Sequence, residues 1–194
     1  HHRKLVSKVA PEFLPAPPLG SLGCDGSGIR LGLSVGAGTG WMDSVSAWRF
    51  VNPPYAWVKG IVVGPDGNRL VNEELYGAVL GQAMYRRTAG RAWLIVDGDI
   101  QAAAIEELKE GKMFPFQRYP IEASRRTATK ADSIAELESK LGFPIGSLVN
   151  TVSSYNAAIA QQTQDAMGKS PKLRAPLQRK PYYAVNLKSS LMSP

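Results

Sequence analysis

Histidine and cysteine are almost missing from this sequence of 194 residues. A single cysteine, Cys24, excludes an internal disulfide framework and a multi-cysteine zinc site, so we expect no bound metal and a reducing, cytoplasmic setting. The two histidines are His1 and His2, and no serine can form a Ser-His-Asp triad without an internal histidine. Most hydrolytic chemistries therefore have no suitable residues here.

Long hydrophobic runs are missing as well. No stretch reaches the roughly 18 to 20 apolar residues of a membrane-spanning helix, and the N-terminus lacks the charged, apolar and small-residue order of a signal peptide. We therefore expect no membrane span. With 44% apolar and 20% charged residues, the composition is typical of a globular protein, and the length allows one domain or one domain and part of another.

Positive charge is in excess, with a net charge of +7, and such an excess can indicate a nucleic-acid partner. The basic residues are scattered, however, with local clusters at 86–87, 125–126 and 169–180. None of these clusters alternates with aromatic residues as a base-stacking surface would. The pattern favours a solvated basic surface, and we expect no nucleic-acid partner.

Hydrophobic patterns along the chain predict a mixed α and β protein of the α+β class. Ser133 and Glu136 form a capping box for one helix, which Gly142 ends. Periodicity leaves residues 27–35 open between a strand and a helix. The other predicted elements are helices at 3–10, 74–87, 100–110 and 149–159, strands at 92–97 and 181–187, and an irregular proline-rich passage at 11–20.

Two glycine clusters invite a dinucleotide-binding interpretation. GAGTG at 36–40 and GSGIRLG at 26–32 both differ from G-x-G-x-x-G, and neither follows a convincing strand. Close backbone packing is the favoured interpretation of GAGTG. The residues DGSG at 25–28 precede a candidate helix, so their N–H groups could face a phosphate or the edge of a ring. For that segment both interpretations stay open.

Without an internal histidine, tyrosine, arginine and lysine remain as candidate acid–base groups. The stretch DGNRLVNEELYG, 66–77, places an arginine, an asparagine, two acids and Tyr76 directly after an Asp-Gly turn. This turn predicts a hairpin whose second arm is Leu70 and Val71. A tyrosine can exchange a proton when a cation or hydrogen bonds lower its pKa from about 10. A surface hairpin with a packing tyrosine and the edge of an active site both agree with this pattern.

Five segments, taken in order, resemble the fumarate reductase/ketosteroid dehydrogenase family of FAD-dependent flavoproteins. They are DGSGIRLGLSVGAGTGWMD, KGIVVGPDGNRLVNEELYG, AWLIVD, SIAELESKLGFPIGSLVNTVSSYN and KPYYAVNL. The most specific are the helix pair that ends in TVSSYN and the hairpin GNRLVNE. The hairpin resembles the family's G-x-R-F-V-N-E, with Leu70 in place of the usual aromatic residue.

This resemblance implies a division of the chain into three parts. Residues 1–44 resemble the second passage through the family's FAD-binding domain, 45–178 its capping or substrate domain, and 179–194 the strand that returns to the FAD-binding domain. The family's first FAD-binding strand has no counterpart here. The resemblance therefore implies an internal fragment of a longer enzyme, inactive by itself, whose partner is the remainder of its own FAD-binding domain.

The resemblance also implies site residues. Gly26, Ser27 and Gly28 match the family's Gly-acid-Gly segment beside FAD, with Ser27 in place of the acid. Tyr76 stands at the family's proton-transfer position, which is an arginine in soluble fumarate reductases and a tyrosine in ketosteroid dehydrogenases. The supporting residues are expected to be Arg69, Asn72 and Glu73.

The implied reaction is hydride transfer between FAD and a carbon of a small-molecule substrate, with Tyr76 exchanging a proton at the neighbouring carbon. Fumarate reductases carry a glutamate and an arginine just before the preceding strand, where this sequence has PPYAWVKG. Trp48, Tyr55 and Trp57 would suit a flat apolar ketone, which favours a ketosteroid-like substrate. The alternatives are a dicarboxylate reductase of the fumarate reductase type and a non-catalytic substrate-binding domain that has lost its flavin.

Overall fold

The computed structural model describes residues 3–16, 21, 23–110 and 114–187. These residues form one four-stranded sheet, seven α-helices and three short 3-10 turns. The helices are α1 (Arg3–Val9), α2 (Ser27–Ser34), α3 (Gly77–Thr88), α4 (Gly98–Lys109), α5 (Pro115–Arg126), α6 (Ile134–Leu141) and α7 (Ser147–Ala160). The strands are β1 (Ile61–Val63), β2 (Trp93–Val96), β3 (Thr129–Ala131) and β4 (Tyr182–Asn186), and the 3-10 turns are Pro11–Phe13, Tyr55–Lys59 and Pro171–Leu173.

The sheet is antiparallel at every pairing, with strand order β1-β2-β4-β3. Its central pair aligns Leu94 of β2 with Val185 of β4, and Ile95 with Ala184. Nearly all residues of β1 and β2 are buried. This explains why those strands appear in the sequence as short continuous apolar runs and not as alternating ones.

Local capping signals correctly placed α6. The Oγ of Ser133 accepts a hydrogen bond from the N–H of Glu136 at 3.1 Å, and Gly142, at φ +68°, ends the helix in the left-handed conformation. The Glu136 carboxylate in turn accepts from the N–H of Asp132 at 2.9 Å. The predictions of α1, α4, α7, β2 and β4 are also confirmed, and so is the mixed α and β class.

The sequence left the conformation of residues 27–35 open, and the hairpin differs from its prediction. Of residues 27–35, which periodicity left open, all but the last form the helix α2 (Ser27–Ser34). The hairpin turn is present, with Gly67 at φ +74°, but its second arm is reduced to a single bridge between Val63 and Arg69. One further ladder bond joins the N–H of Leu70 to the carbonyl of Val62 at 2.9 Å. The hairpin is therefore shorter than predicted.

Helix α3 begins at Gly77, three residues later than the sequence predicted. The N–H of Glu74 donates to Oδ1 of Asn72 at 3.0 Å, which holds the preceding residues in a turn. Tyr76 is extended, at φ −57° and ψ 142°, and serves as the N-cap. Helix α5 and strand β3 were not predicted.

Strand β4 belongs to the same sheet as β1, β2 and β3. Just before it, the N–H groups of Gln178 and Arg179 both donate to the carboxylate of Asp97, at 3.1 and 3.0 Å. Within the described residues, β4 is thus joined to the middle part of the chain. Residues 188–194 of the predicted return strand, and 17–20 of the proline-rich passage, lie outside the described residues. The domain boundaries near 44 and 178, and the capping-domain assignment, stay predictions.

Most buried apolar side chains form one core around the sheet, which includes the strand residues and the inward faces of α3, α4, α6 and α7. A smaller cluster joins the Pro11–Phe13 turn to α3, where the rings of Phe13 and Tyr85 lie 5.7 Å apart. Both clusters contact α3. Packing against both clusters therefore holds α3 in place, and with it Tyr76 at the N-terminal end of the helix.

Candidate functional site

Tyr76 lies at the exposed N-terminal end of α3, with 60% of its surface accessible. Its ring meets the Trp48 indole edge-on, with 5.0 Å between centroids and 72° between planes. Trp48 also contacts Phe50, at 5.4 Å between centroids. We call Trp48, Phe50 and Tyr76 the aromatic cluster. It combines flat apolar surface with a phenolic hydroxyl, a combination that suits an apolar ligand bearing a polar group.

The segment that carries Trp48 is fastened to α3 by its backbone. The N–H of Arg49 donates to the carbonyl of Gly77 at 2.9 Å, and the side-chain amide of Gln82 donates to the carbonyl of Val45 at 2.7 Å. An added Cβ at Gly77 would lie 2.6 Å from the Phe50 ring and 2.7 Å from the carbonyl oxygen of Arg49. The lack of a side chain at Gly77 thus allows this close approach.

Arg69 and Glu73, both predicted as supporting residues, belong to a buried ionic network with Asp165 and Lys169. Arg69 donates to the two carboxylate oxygens of Glu73 at 3.2 and 2.7 Å and to Asp165 at 2.6 Å. The ammonium of Lys169 lies 3.1 Å from Glu73. Both cations also lie over the ring of Tyr155, at 5.1 and 5.6 Å from its centroid. Two cations and two anions compensate each other where water has little access.

This network attaches the hairpin to backbone on two sides. Glu73 accepts from the N–H of Val62 in β1 at 2.8 Å, and Lys169 donates to the carbonyl of Gly60 at 2.5 Å. Burial lowers the pKa of Lys169, although Glu73 opposes this shift. Burial and Glu73 both raise the pKa of Tyr155. The protonated form of Tyr155 is therefore favoured within the network.

A second connection joins the turn before Tyr76 to the same distant segment. One carboxylate oxygen of Glu74 accepts from the N–H of Ser170 at 3.0 Å and from its hydroxyl at 2.7 Å. The hydroxyl contact lowers the pKa of Glu74 against the effect of burial. Asn72, the third predicted supporting residue, is buried and holds the turn through its bond to the Glu74 N–H.

Two aromatic residues predicted to contact the substrate have different surroundings. Tyr55 is exposed, and its N–H donates to the carboxylate of Glu107 at 2.6 Å. Trp57 is only 4% exposed, belongs to the main core and donates its indole N–H to Gln101 at 3.0 Å. Its indole therefore lies in the core and not at an accessible surface, and its assignment as a substrate residue stays a prediction.

The predicted cofactor-binding residues form the start of α2, none of whose residues is buried. Gly26 is the N-cap at φ +78°, and the N–H of Ser27 donates to Asp25 at 2.8 Å. Asp25 also pairs with Arg30 at 3.0 Å, and the bonds from Ser27 and then Arg30 hold its pKa below the ordinary value. The N–H of Ser27 is therefore already bonded within the segment and is not directed at a cofactor phosphate.

Gly28 faces open space within the described residues. An added Cβ at Gly28 would meet no atom within 4 Å, so no contact within the described residues requires glycine there. The segment is compatible with FAD, and its binding stays a prediction. Elsewhere in the described part of the chain, no three His, Cys, Asp or Glu side chains are arranged to hold a metal ion. No helix in these ranges has the length and apolar character to cross a membrane.

Five residues of this region were missed by sequence reasoning. They are Phe50, Glu74, Asp165, Lys169 and Ser170. The bonds from Glu74 to Ser170 and from Arg69 to Asp165 each span 96 positions of the sequence. Local periodicity cannot report such pairs, and the only sequence signal was the pair of adjacent acids Glu73 and Glu74 directly before the tyrosine.

Comparison with known proteins identifies relatives over most of this chain. A 3-oxo-5-alpha-steroid 4-dehydrogenase of Comamonas testosteroni is 37% identical over 179 residues, which cover 92% of this chain and 34% of that protein. An NADH:fumarate oxidoreductase of Klebsiella pneumoniae is 26% identical, over 94% of this chain and 19% of that protein. The chain thus spans about a third or less of the length of these curated relatives. No family model matches it.

Solved structures agree with these relatives. The 3-ketosteroid-Δ4-(5α)-dehydrogenase of Rhodococcus jostii RHA1, in complex with 4-androstene-3,17-dione, matches with a TM-score of 0.77 and 27% identity, over 98% of this chain and 37% of that chain. A flavocytochrome c3 fumarate reductase in an open conformation shares the fold, with a TM-score of 0.63 and 21% identity, over 99% of this chain and 33% of that chain. The resemblance inferred from the sequence is confirmed.

Proposed function

Because this chain is homologous to 3-ketosteroid dehydrogenases and fumarate reductases, we propose that it is part of a longer FAD-dependent oxidoreductase. The proposed enzyme transfers hydride between FAD and a C–C bond next to a carbonyl, and Tyr76 exchanges the proton. The supporting observation is the exposed Tyr76 ring beside Trp48, at the junction of the hairpin and α3. The remainder of the FAD-binding domain is the proposed partner of this chain, and a cytoplasmic location stays a prediction.

The exposure of Tyr76 supports the proposed proton transfer. Its ring is held on one side by Trp48, and the rest of it is accessible to a substrate. FAD, when bound, supplies or accepts the hydride. In the dehydrogenation direction, Tyr76 passes its hydroxyl proton to solvent and takes up a proton from the carbon next to the one that loses hydride. A C=C bond forms with the electron pair of the broken C–H bond, and the reverse direction returns the proton from the hydroxyl.

The substrate we propose is a flat, apolar ketone of the steroid type. Trp48 and Phe50 belong to the aromatic cluster, and Tyr55 is an exposed aromatic residue on the segment that follows them in the chain. The relative with 37% identity is named for a 3-oxo-steroid. Gly26, Ser27 and Gly28 are the residues proposed to face FAD, with the Ser27 N–H engaged by Asp25 and thus not directed at a phosphate.

Replacement of Tyr76 by phenylalanine tests this proposal in the full-length enzyme. Tyr76→Phe keeps the ring against Trp48 but removes the hydroxyl, so we expect kcat to fall about 10²- to 10⁴-fold, as for loss of a general acid or base. Flavin absorbance should be unchanged. The measurement is flavin reduction by saturated 3-ketosteroids and succinate, and reoxidation of the reduced flavin by unsaturated 3-ketosteroids and fumarate, both followed by flavin absorbance.

Tyr119→Phe is the matched control, because Tyr119 is an exposed tyrosine on α5, and this variant should retain the parental rate. Near-parental turnover of Tyr76→Phe would remove Tyr76 from the proton-transfer role. Reoxidation of the reduced flavin by fumarate, with no redox reaction with ketosteroids, would favour the dicarboxylate reductase. A full-length protein without flavin would favour the non-catalytic binding domain.

A further inference from the structure

The segment Asp165–Ser170 contacts the chain at two residues that closely precede Tyr76. Lys169 pairs with Glu73 in the buried network, and Ser170 binds Glu74 through both its N–H and its hydroxyl. Asp165 itself accepts from the N–H of Lys169 at 3.1 Å, so the segment is internally fixed.

An exposed side chain needs its backbone to be fixed if it is to act from a defined position. Burial fixes little of Tyr76, which is 60% exposed. The backbone that carries it is fixed from the C-terminal side by the first turn of α3, where the N–H of Val79 donates to the carbonyl of Tyr76 at 2.8 Å. On its N-terminal side, Glu74 is the nearest described residue whose side chain forms a hydrogen bond outside its own turn, and its partner there is Ser170.

We propose that Glu74 and Ser170 are positioning residues, which hold the turn before Tyr76 so that the Tyr76 hydroxyl stays in register with the substrate. This inference rests on the proposed function of Tyr76. The two residues do not touch the substrate. They act through the backbone, because a carboxylate that accepts two hydrogen bonds from one residue restrains the turn in both distance and orientation. A misplacement of about 1 Å can cost a catalytic group up to about 10²-fold in rate.

The experiment is a set of variants of the full-length flavoprotein. Glu74→Ala should lower kcat about tenfold, with KM and flavin content changed less than about twofold, because the hydroxyl is misplaced while binding surfaces remain. Ser170→Ala should have a smaller effect, since the N–H of Ser170 still donates to Glu74. Glu74→Gln keeps an acceptor oxygen and should recover most of the rate.

Two comparisons distinguish positioning from general stability. Glu136→Ala is the matched control, because Glu136 also accepts a backbone N–H and pairs with Lys140, at a site on α6. It should lower the melting temperature without lowering kcat. In a Tyr76→Phe background, Glu74→Ala should cause no further loss of the residual rate, since both changes then remove the same contribution.

Equal kcat for Glu74→Ala and Glu136→Ala, measured well below their melting temperatures, would overturn the inference while the role of Tyr76 stands. The inference would also be overturned if Glu74→Ala lowered the residual rate of Tyr76→Phe by the same factor as in the parent. A parental rate for Tyr76→Phe alone would instead overturn the proposed function, and the positioning role with it.

Discussion

Glu138 is a single residue on which the junction of α6 and α7 depends. Its side chain is buried, and its two carboxylate oxygens accept from the N–H groups of Gly146, Leu148 and Val149 at 2.6, 2.7 and 3.2 Å. These donors have no partner within α7 because they lie at its first turn. Burial alone would raise the pKa of Glu138, but the three N–H groups outweigh it and hold the pKa below its ordinary value.

We predict that Glu138→Ala destabilises the protein by about 2 to 4 kcal/mol, since one buried and two partly buried N–H groups lose a charged acceptor. Glu106→Ala, at an exposed ion pair on α4, should change stability by less than about 0.5 kcal/mol. The measurement is the free energy of unfolding in urea. Equal values for the two variants would show that water replaces the carboxylate at no cost.

The same residue gives a pH dependence. A carboxylate whose pKa is lower in the folded state contributes stability above its unfolded pKa of about 4.3, and this contribution is lost as pH falls through the folded pKa. The stability difference between the parent and Glu138→Gln should therefore shrink as the pH is lowered below about 4. A difference independent of pH would contradict the assignment.

At the scale of elements, the contact between α3 and the segment 45–50 determines the shape of the aromatic cluster. We predict that Gly77→Ala destabilises the protein by about 1 to 3 kcal/mol, because its Cβ would overlap the Phe50 ring and the Arg49 carbonyl. Intrinsic helix propensity acts in the opposite direction, favouring alanine by about 1 kcal/mol. Tryptophan fluorescence should also change, as Trp48 is displaced.

Gly32→Ala is the control for that change, since its Cβ would meet only the Cβ of Ala37, at an ordinary 3.6 Å. This variant should be as stable as the parent or more stable, by up to about 1 kcal/mol. Thermal unfolding and fluorescence of both variants provide the comparison. If Gly77→Ala matched Gly32→Ala in both measurements, the segment 45–50 would not be seated on α3 as described.

Elements with local signals were predictable, and those determined by distant contacts were not. Ser133, Glu136 and Gly142 marked α6 because a cap and a left-handed stop are encoded within a few residues. The sequence did not predict that the second arm of the hairpin is so short. The Arg69 side chain pairs with Asp165 and Glu73, and the strand pairing does not continue as a longer ladder. The prediction of Tyr76 as a site residue rested on the family resemblance, since an exposed tyrosine at the start of a helix has no distinctive sequence pattern of its own.

At the scale of the whole molecule, the N-terminal region exposes an apolar surface. Leu31, Leu33 and Val35 on and after α2 are exposed, and so is Trp41. Exposed large apolar side chains that lie near one another in the chain are typical of interfaces. This surface agrees with the proposal that the remainder of the FAD-binding domain packs here, and with a chain that spans only part of its relatives.

We predict that Leu31→Glu lowers the flavin content of the full-length protein, because a carboxylate would be buried without a partner at the proposed interface, at a cost of several kcal/mol. Ile145→Glu is the matched control, since Ile145 is fully exposed on the turn between α6 and α7. The measurement is the ratio of flavin to protein absorbance after purification. Equal flavin content in the two variants would mean that the surface around α2 stays in solvent, and the proposed partner would have to bind elsewhere.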